Sequence, residues 1–189
     1  MSIDEQEIYR EVRSAIADTL RISGQQVTPD ALLFHDLGAE SLDFVDIEFR
    51  LETHFGVELY HGSAVERIAE LLAPQLMEEQ GTLTPFGARV LRKRMPEVRP
   101  ESLQSGQSAG SIEDAFTART FVRIVREVLE ARPRSCPRCG GSDLANIKPS
   151  VLLCRSCDVE IRCPTGEDCL QQWVVDFAAD GKDGAADAA

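Results

Sequence analysis

A mainly helical fold with a small, β-rich module toward its C-terminus is what this sequence predicts. Apolar residues recur at helical spacing in three separated segments, near residues 4–20, 41–55 and 117–131. Four of the six cysteines stand in two C-x-x-C pairs, and all six fall within residues 136–169. A chain of 189 residues, 43% apolar and 6% aromatic, can build one mostly aliphatic core and a small second unit.

The first helix is expected over residues 4–20, where Ile8, Val12, Ile16 and Leu20 recur every four positions and acids crowd the first turn. Ser23-Gly24 ends it, and Thr28-Pro29-Asp30 marks a loop. The second helix runs from about Ser41 to Phe55 and stops at Gly56. Leu42, Val45 and Phe49 are expected on its buried stripe with Ile47, Leu51 and Phe55, leaving Asp43, Asp46 and Glu52 for solvent. Ala64, Val65, Ile68, Ala69, Leu71 and Leu72 suggest a helix that Pro74 kinks or ends. Thr84-Pro85 offers a cap and a first-position proline for another helix, bearing Phe86, Val90 and Leu91. Residues 96–112, with two prolines and several Gly and Ser, read as a flexible loop. Phe121, Ile124, Val125, Val128 and Leu129 then mark an amphipathic helix of about residues 117–131. Beyond it, Val151-Leu-Leu-Cys, Val159-Glu-Ile-Arg and Trp173-Val-Val are β-like runs.

The formal net charge of −12 disfavours a nucleic-acid partner and favours a basic protein one. The charge is uneven: −9 over residues 1–60, +1 over 61–135 and −4 over 136–189. The N-terminus lacks the basic-then-apolar pattern of a secretory signal, and no apolar run approaches the roughly 20 residues that span a bilayer. A cytoplasmic protein without stable membrane insertion is expected. His35, His54 and His61 are dispersed, and no motif places a nucleophile, so no catalytic set is read.

Ser41 falls where an irregular segment turns into the acidic second helix. A hydroxyl there is exposed, and a phosphate on it would face unpaired N–H groups and the positive end of the helix dipole. The plain alternative is a helix N-cap. The run Asp36-Leu-Gly-Ala-Glu-Ser-Leu-Asp43, with Phe55-Gly-Val-Glu-Leu59 downstream, resembles the modification site of acyl carrier proteins, with Glu40 where the familiar form has Asp. The resemblance covers roughly residues 5–60 and 115–131. It implies a helical bundle in which a phosphopantetheinyl transferase moves a 4′-phosphopantetheine arm from coenzyme A to Ser41, using magnesium. It also implies a non-catalytic carrier of fatty or polyketide-like acyl thioesters, presented to loading, transfer or synthase enzymes of lipid biosynthesis. Glu40, Asp43, Asp46, Glu48 and Glu52 would supply a charged surface for those partners, or merely a solvated helix face. A peptidyl or aminoacyl carrier is the alternative within the class.

Cys136, Cys139, Cys154 and Cys157 form C-x₂-C-x₁₄-C-x₂-C, the spacing of a structural zinc site. Each pair lets one tight turn aim two thiolates at one metal. A module of about 40 residues is too small to hold itself together without such a staple. The whole resembles a zinc ribbon, with rubredoxin-like iron as the weaker alternative. Cys163 and Cys169 are left over, as buried small residues, a fortuitous pair or competitors for the metal.

The expected plan is a carrier domain over residues 1–131 with an insertion at about 61–115, a linker at 132–135, a zinc ribbon at 136–177 and a disordered tail at 178–189. The insertion either enlarges the core or widens a shelter for a long acyl chain. Its basic cluster, Arg89, Arg92, Lys93 and Arg94, either lies back on the acidic helix or contacts an anionic membrane or partner. A rival from another class is an interaction module whose zinc ribbon binds nucleic acid or protein.

Overall fold

Three helices far apart in sequence meet in one core in the computed structural model, which describes residues 4–62, 64–72, 76–78 and 81–180. These are α1 (Glu5–Leu20), α2 (Ser41–Phe55) and α6 (Ala118–Glu130). Asp4 caps α1 by accepting the Gln6 N–H at 3.0 Å, and Ile8, Val12 and Ile16 face inward. Against them lie Ile47 and Leu51 of α2 and Phe121, Val125 and Val128 of α6. The helical periodicities therefore place these elements as the sequence requires. The helix α1 ends at Arg21, in the left-handed region at φ 55°, ahead of Ser23-Gly24.

The connection between α2 and α6 builds a second core. It holds α3 (Ala64–Leu72), α4 (Pro85–Arg94) and a short α5 (Ala109–Glu113). Thr84 caps α4 by accepting the Gly87 N–H at 2.9 Å, with Pro85 first in the helix. Pro74, expected to end α3, lies outside the described residues. The segment 96–112 is not the flexible loop expected. It carries a 3₁₀ turn at Pro100–Ser102 and α5, and buries Val98, Leu103 and Ile112 against Leu83, Val90 and Leu91. Its prolines and glycines mark turns between apolar anchors rather than freedom.

Strands β1 (Leu144–Lys148), β2 (Val151–Cys154) and β3 (Glu160–Arg162) form an antiparallel sheet in that order. The run Trp173-Val-Val is not a strand. It lies on α7 (Gly166–Asp180), where Leu170 and Val174 are buried and Val175 is exposed. Three consecutive apolar residues fit either element, and the long-range packing of Leu170 and Trp173 onto the second core decides for helix. Of the expected tail, residues 178–180 belong to α7 and 181–189 lie outside the described residues.

The cysteine module and α7 are bonded to the segment that follows α2. Arg132 donates to the Gly56 carbonyl and to Asn146 Oδ1, and the Ser150 N–H donates to the Gly56 carbonyl at 3.0 Å. The Glu58 N–H donates to Ser150 Oγ at 2.9 Å, and the Gly166 N–H donates to the Glu58 carbonyl at 2.8 Å. Two glycines permit this approach. Gly56 ends α2 at φ 63°, and a Cβ on it would lie 2.9 Å from the Asn146 amide. A Cβ on Gly166 would lie 2.3 Å from the Tyr60 nitrogen.

The basic cluster of α4 does not lie on α2. Arg94 pairs with Glu127 of α6 at 2.5 and 2.6 Å, with its guanidinium 5.4 Å from the Trp173 ring centre. Lys93 sits over Phe177, and Arg89 over Phe86. Among the described residues, no helix is long and apolar enough to cross a membrane.

Candidate functional site

Ser41 is the first residue of α2 and is exposed. The capping position belongs to Glu40, whose N–H donates to Asp43 Oδ2 at 2.7 Å while its carbonyl accepts the Asp43 N–H at 2.9 Å. The Ser41 hydroxyl makes no hydrogen bond among the described residues, so the helix start does not consume it. The preceding loop is held firmly. Asp36 Oδ2 accepts the Leu32 N–H at 2.9 Å, the Ala39 N–H donates to the Leu33 carbonyl at 2.9 Å, and Phe34 stacks on Phe44 at 4.8 Å. The Leu33 N–H also donates to the Phe116 carbonyl, which ties the loop to the entry of α6.

Beside Ser41 the surface is apolar, contrary to expectation. Leu42, Val45 and Phe49 are not a buried stripe; they are 81%, 57% and 64% exposed. At about 100° per residue, Phe49 points roughly 200° from both Ile47 and Leu51, which claim the core. The acids divide. Asp46 accepts from Thr19 Oγ1 at 2.7 Å and Arg50 Nε at 2.8 Å, and the Arg50 bond, with that of Thr19, holds its carboxyl below the usual range. Glu48 and Glu52, only 16% and 15% exposed, turn away from open solvent toward His61. His61 lies 3.1 Å from Glu48 through Nδ1 and 3.0 Å from Glu52 through Nε2, and Glu52 also accepts the Leu59 N–H at 2.7 Å. Burial pushes Glu48 up. For His61, burial works against the charged ring, but the Glu48 and Glu52 carboxylates prevail and raise it.

Behind α2 lies an apolar cavity of about 60 Å³, lined by Phe44, Met95, Phe121, Ile124 and Leu170, with Glu48 at one edge. Two of its walls come from α4 and α7. Its far edge is an ion network in which Arg94 and Arg123 share Glu127 and Arg123 Nε meets Glu97 at 2.9 Å. Burial disfavours the Glu127 carboxylate, yet Arg94 and Arg123 outweigh it and lower its pKa.

The four C-x-x-C sulfurs converge, all within 4.8 Å of one another. Cys136 and Cys157 are 3.7 Å apart and Cys139 and Cys154 3.6 Å, far beyond a disulfide bond. A tetrahedron of Zn–S bonds of about 2.3 Å has edges of about 3.8 Å, so the donor set fits zinc. For Cys136, burial is outweighed by N–H bonds from Cys139 and Arg138, which bring the thiol to about 7. Cys157 is pushed up to about 12 by burial and the neighbouring sulfurs. A dication among them would deprotonate all four. Cys163 is buried and Cys169 half-buried, and neither belongs to this group.

Residues 10–61 match the family model for the phosphopantetheine attachment site. The acyl carrier protein of Helicobacter pylori is 42% identical over 52 residues, 28% of this chain and 67% of that protein. That of Thermotoga maritima is 44% identical over 54 residues, 29% of this chain and 67% of its own length. That of Guillardia theta is 39% identical over 69 residues, covering 36% of this chain and 84% of the relative. With its exposed serine at the start of an acidic helix inside the matched segment, this chain belongs to the acyl carrier protein family through its N-terminal part.

Proposed function

We propose that this protein carries acyl groups on a 4′-phosphopantetheine arm attached at Ser41 and presents them to enzymes of fatty-acid or related lipid assembly. The observation that supports it best is the unengaged, exposed Ser41 hydroxyl within the family match. The arm supplies a thiol that holds cargo as a thioester. The chain itself presents and shelters, and a phosphopantetheinyl transferase installs the arm. Leu42, Val45 and Phe49, rimmed by Glu40, Asp43 and Asp46, form the partner contact, a desolvating centre within a charged edge. Glu48 and Glu52 act instead on His61, at the edge of the cavity. The apolar lining of that cavity favours an acyl over an aminoacyl cargo.

Cys136, Cys139, Cys154 and Cys157 hold one structural zinc; four thiolates leave no position open for chemistry. The protein works in the cytoplasm. Incubation with coenzyme A and a transferase is expected to add the mass of the arm to the native protein and not to Ser41→Ala. Full modification of that variant refutes the assignment.

A further inference from the structure

A second cavity, of about 300 Å³, opens where the loop before Ser41 meets the insertion. That volume is at the lower end of small-ligand pockets. Leu32 and His35 line it from the loop, and Glu97, Arg99, Ser102 and Ser111 line it from the insertion. It is a polar site, unlike the apolar cavity behind α2. Glu97 is the telling residue. Its side chain is 8% exposed; Oε1 takes the Arg123 bond, and Oε2 has no hydrogen-bond partner among the described residues. A carboxylate oxygen without a partner is an acceptor still to be satisfied, and a donor entering the cleft beside it could fill that role. Arg99, exposed at the rim, makes no ion pair among the described residues and offers a donor fork to a carbonyl or phosphate.

The site is also close to Ser41. Ala39 is hydrogen-bonded to Leu33, the neighbour of Leu32, and Ser41 lies two residues further, about 7 Å of chain. Resting on the attachment reading above, we propose that this cleft holds the pantetheine arm between loading events. Its amide N–H groups would donate to the Glu97 carboxylate and the Ser102 hydroxyl, its carbonyls would accept from Arg99, and its dimethyl group would face Leu32 and Ala115. The apolar cavity is the poorer host for amides, because it would strip them of water without returning hydrogen bonds.

The test uses full-length protein carrying an isotope-labelled arm. Attachment is expected to move the backbone resonances of Leu32, Ser102, Ser111 and Ala115, and to slow arm amide exchange several-fold relative to free pantetheine. Arg99→Ala, at the exposed rim, and Ser102→Phe, which fills the cleft, are each expected to return exchange to the free rate while modification proceeds in full. If the arm is attached yet exchanges freely and those resonances stay still, the cleft holds water alone and the proposal is overturned. If no arm mass is ever gained, the attachment reading falls first and this inference with it.

Discussion

His61 shows what a single side chain contributes here. Its ring links two carboxylates of α2 to the segment that leads into α3, beside Tyr60 and Gly62 at the cavity edge. Because the folded pKa of His61 lies above its unfolded value of about 6.5, its stabilisation is complete below that pH and is lost as pH rises through the folded value. An NMR titration is expected to place the His61 midpoint above that of a free imidazole, and His61→Gln to remove this step from the pH dependence of urea stability. An unshifted midpoint would contradict the clamp. Glu127 is a second test. Glu127→Ala leaves Arg94, 8% exposed, without its carboxylate, and is expected to cost about 3–5 kcal/mol in denaturant unfolding. The place of Ser41 at the start of α2 and the grouping of the four cysteines were legible in the sequence, because each is marked by a few neighbouring residues. His61 was not, since Glu48 stands 13 positions away and only the fold brings them together.

At the scale of elements, local signals and packing signals separate. The helix α2 begins and ends where its serine and glycine indicate, and α4 starts at Thr84-Pro85, because caps are local chemistry. Thr84→Ala is expected to cost about 1 kcal/mol, read from the denaturation midpoint. Which face of α2 is buried depends on where α1 and α6 lie, so the exposure of Leu42, Val45 and Phe49 was hidden. The helical state of 166–180 was hidden for the same reason: Arg67 of α3 grips Glu167 at 2.8 Å, and Leu170 enters a core assembled from residues up to 105 positions earlier. Gly166→Ala forces a methyl into Tyr60 and is expected to loosen this contact. Hydrogen exchange at Gly166 and Cys169 should then accelerate, whereas an unchanged pattern would show that the approach has slack.

Across the whole molecule, the cysteine module, the insertion and α7 converge on the few residues after α2. Chelation of the metal is expected to release one zinc per chain, melt β1–β3 and deprotect the Ser150 and Glu58 amides, as measured by elemental analysis and hydrogen exchange. Retention of metal by the Cys139→Ser, Cys154→Ser double variant would shift the site toward Cys163 and Cys169. All of this added structure leaves Leu42, Val45 and Phe49 bare. An enzyme that gripped that stripe alone would read none of the structure this chain adds to its carrier helices. Any exclusivity of traffic that the additions confer must therefore be imposed by the bulk that surrounds the handle.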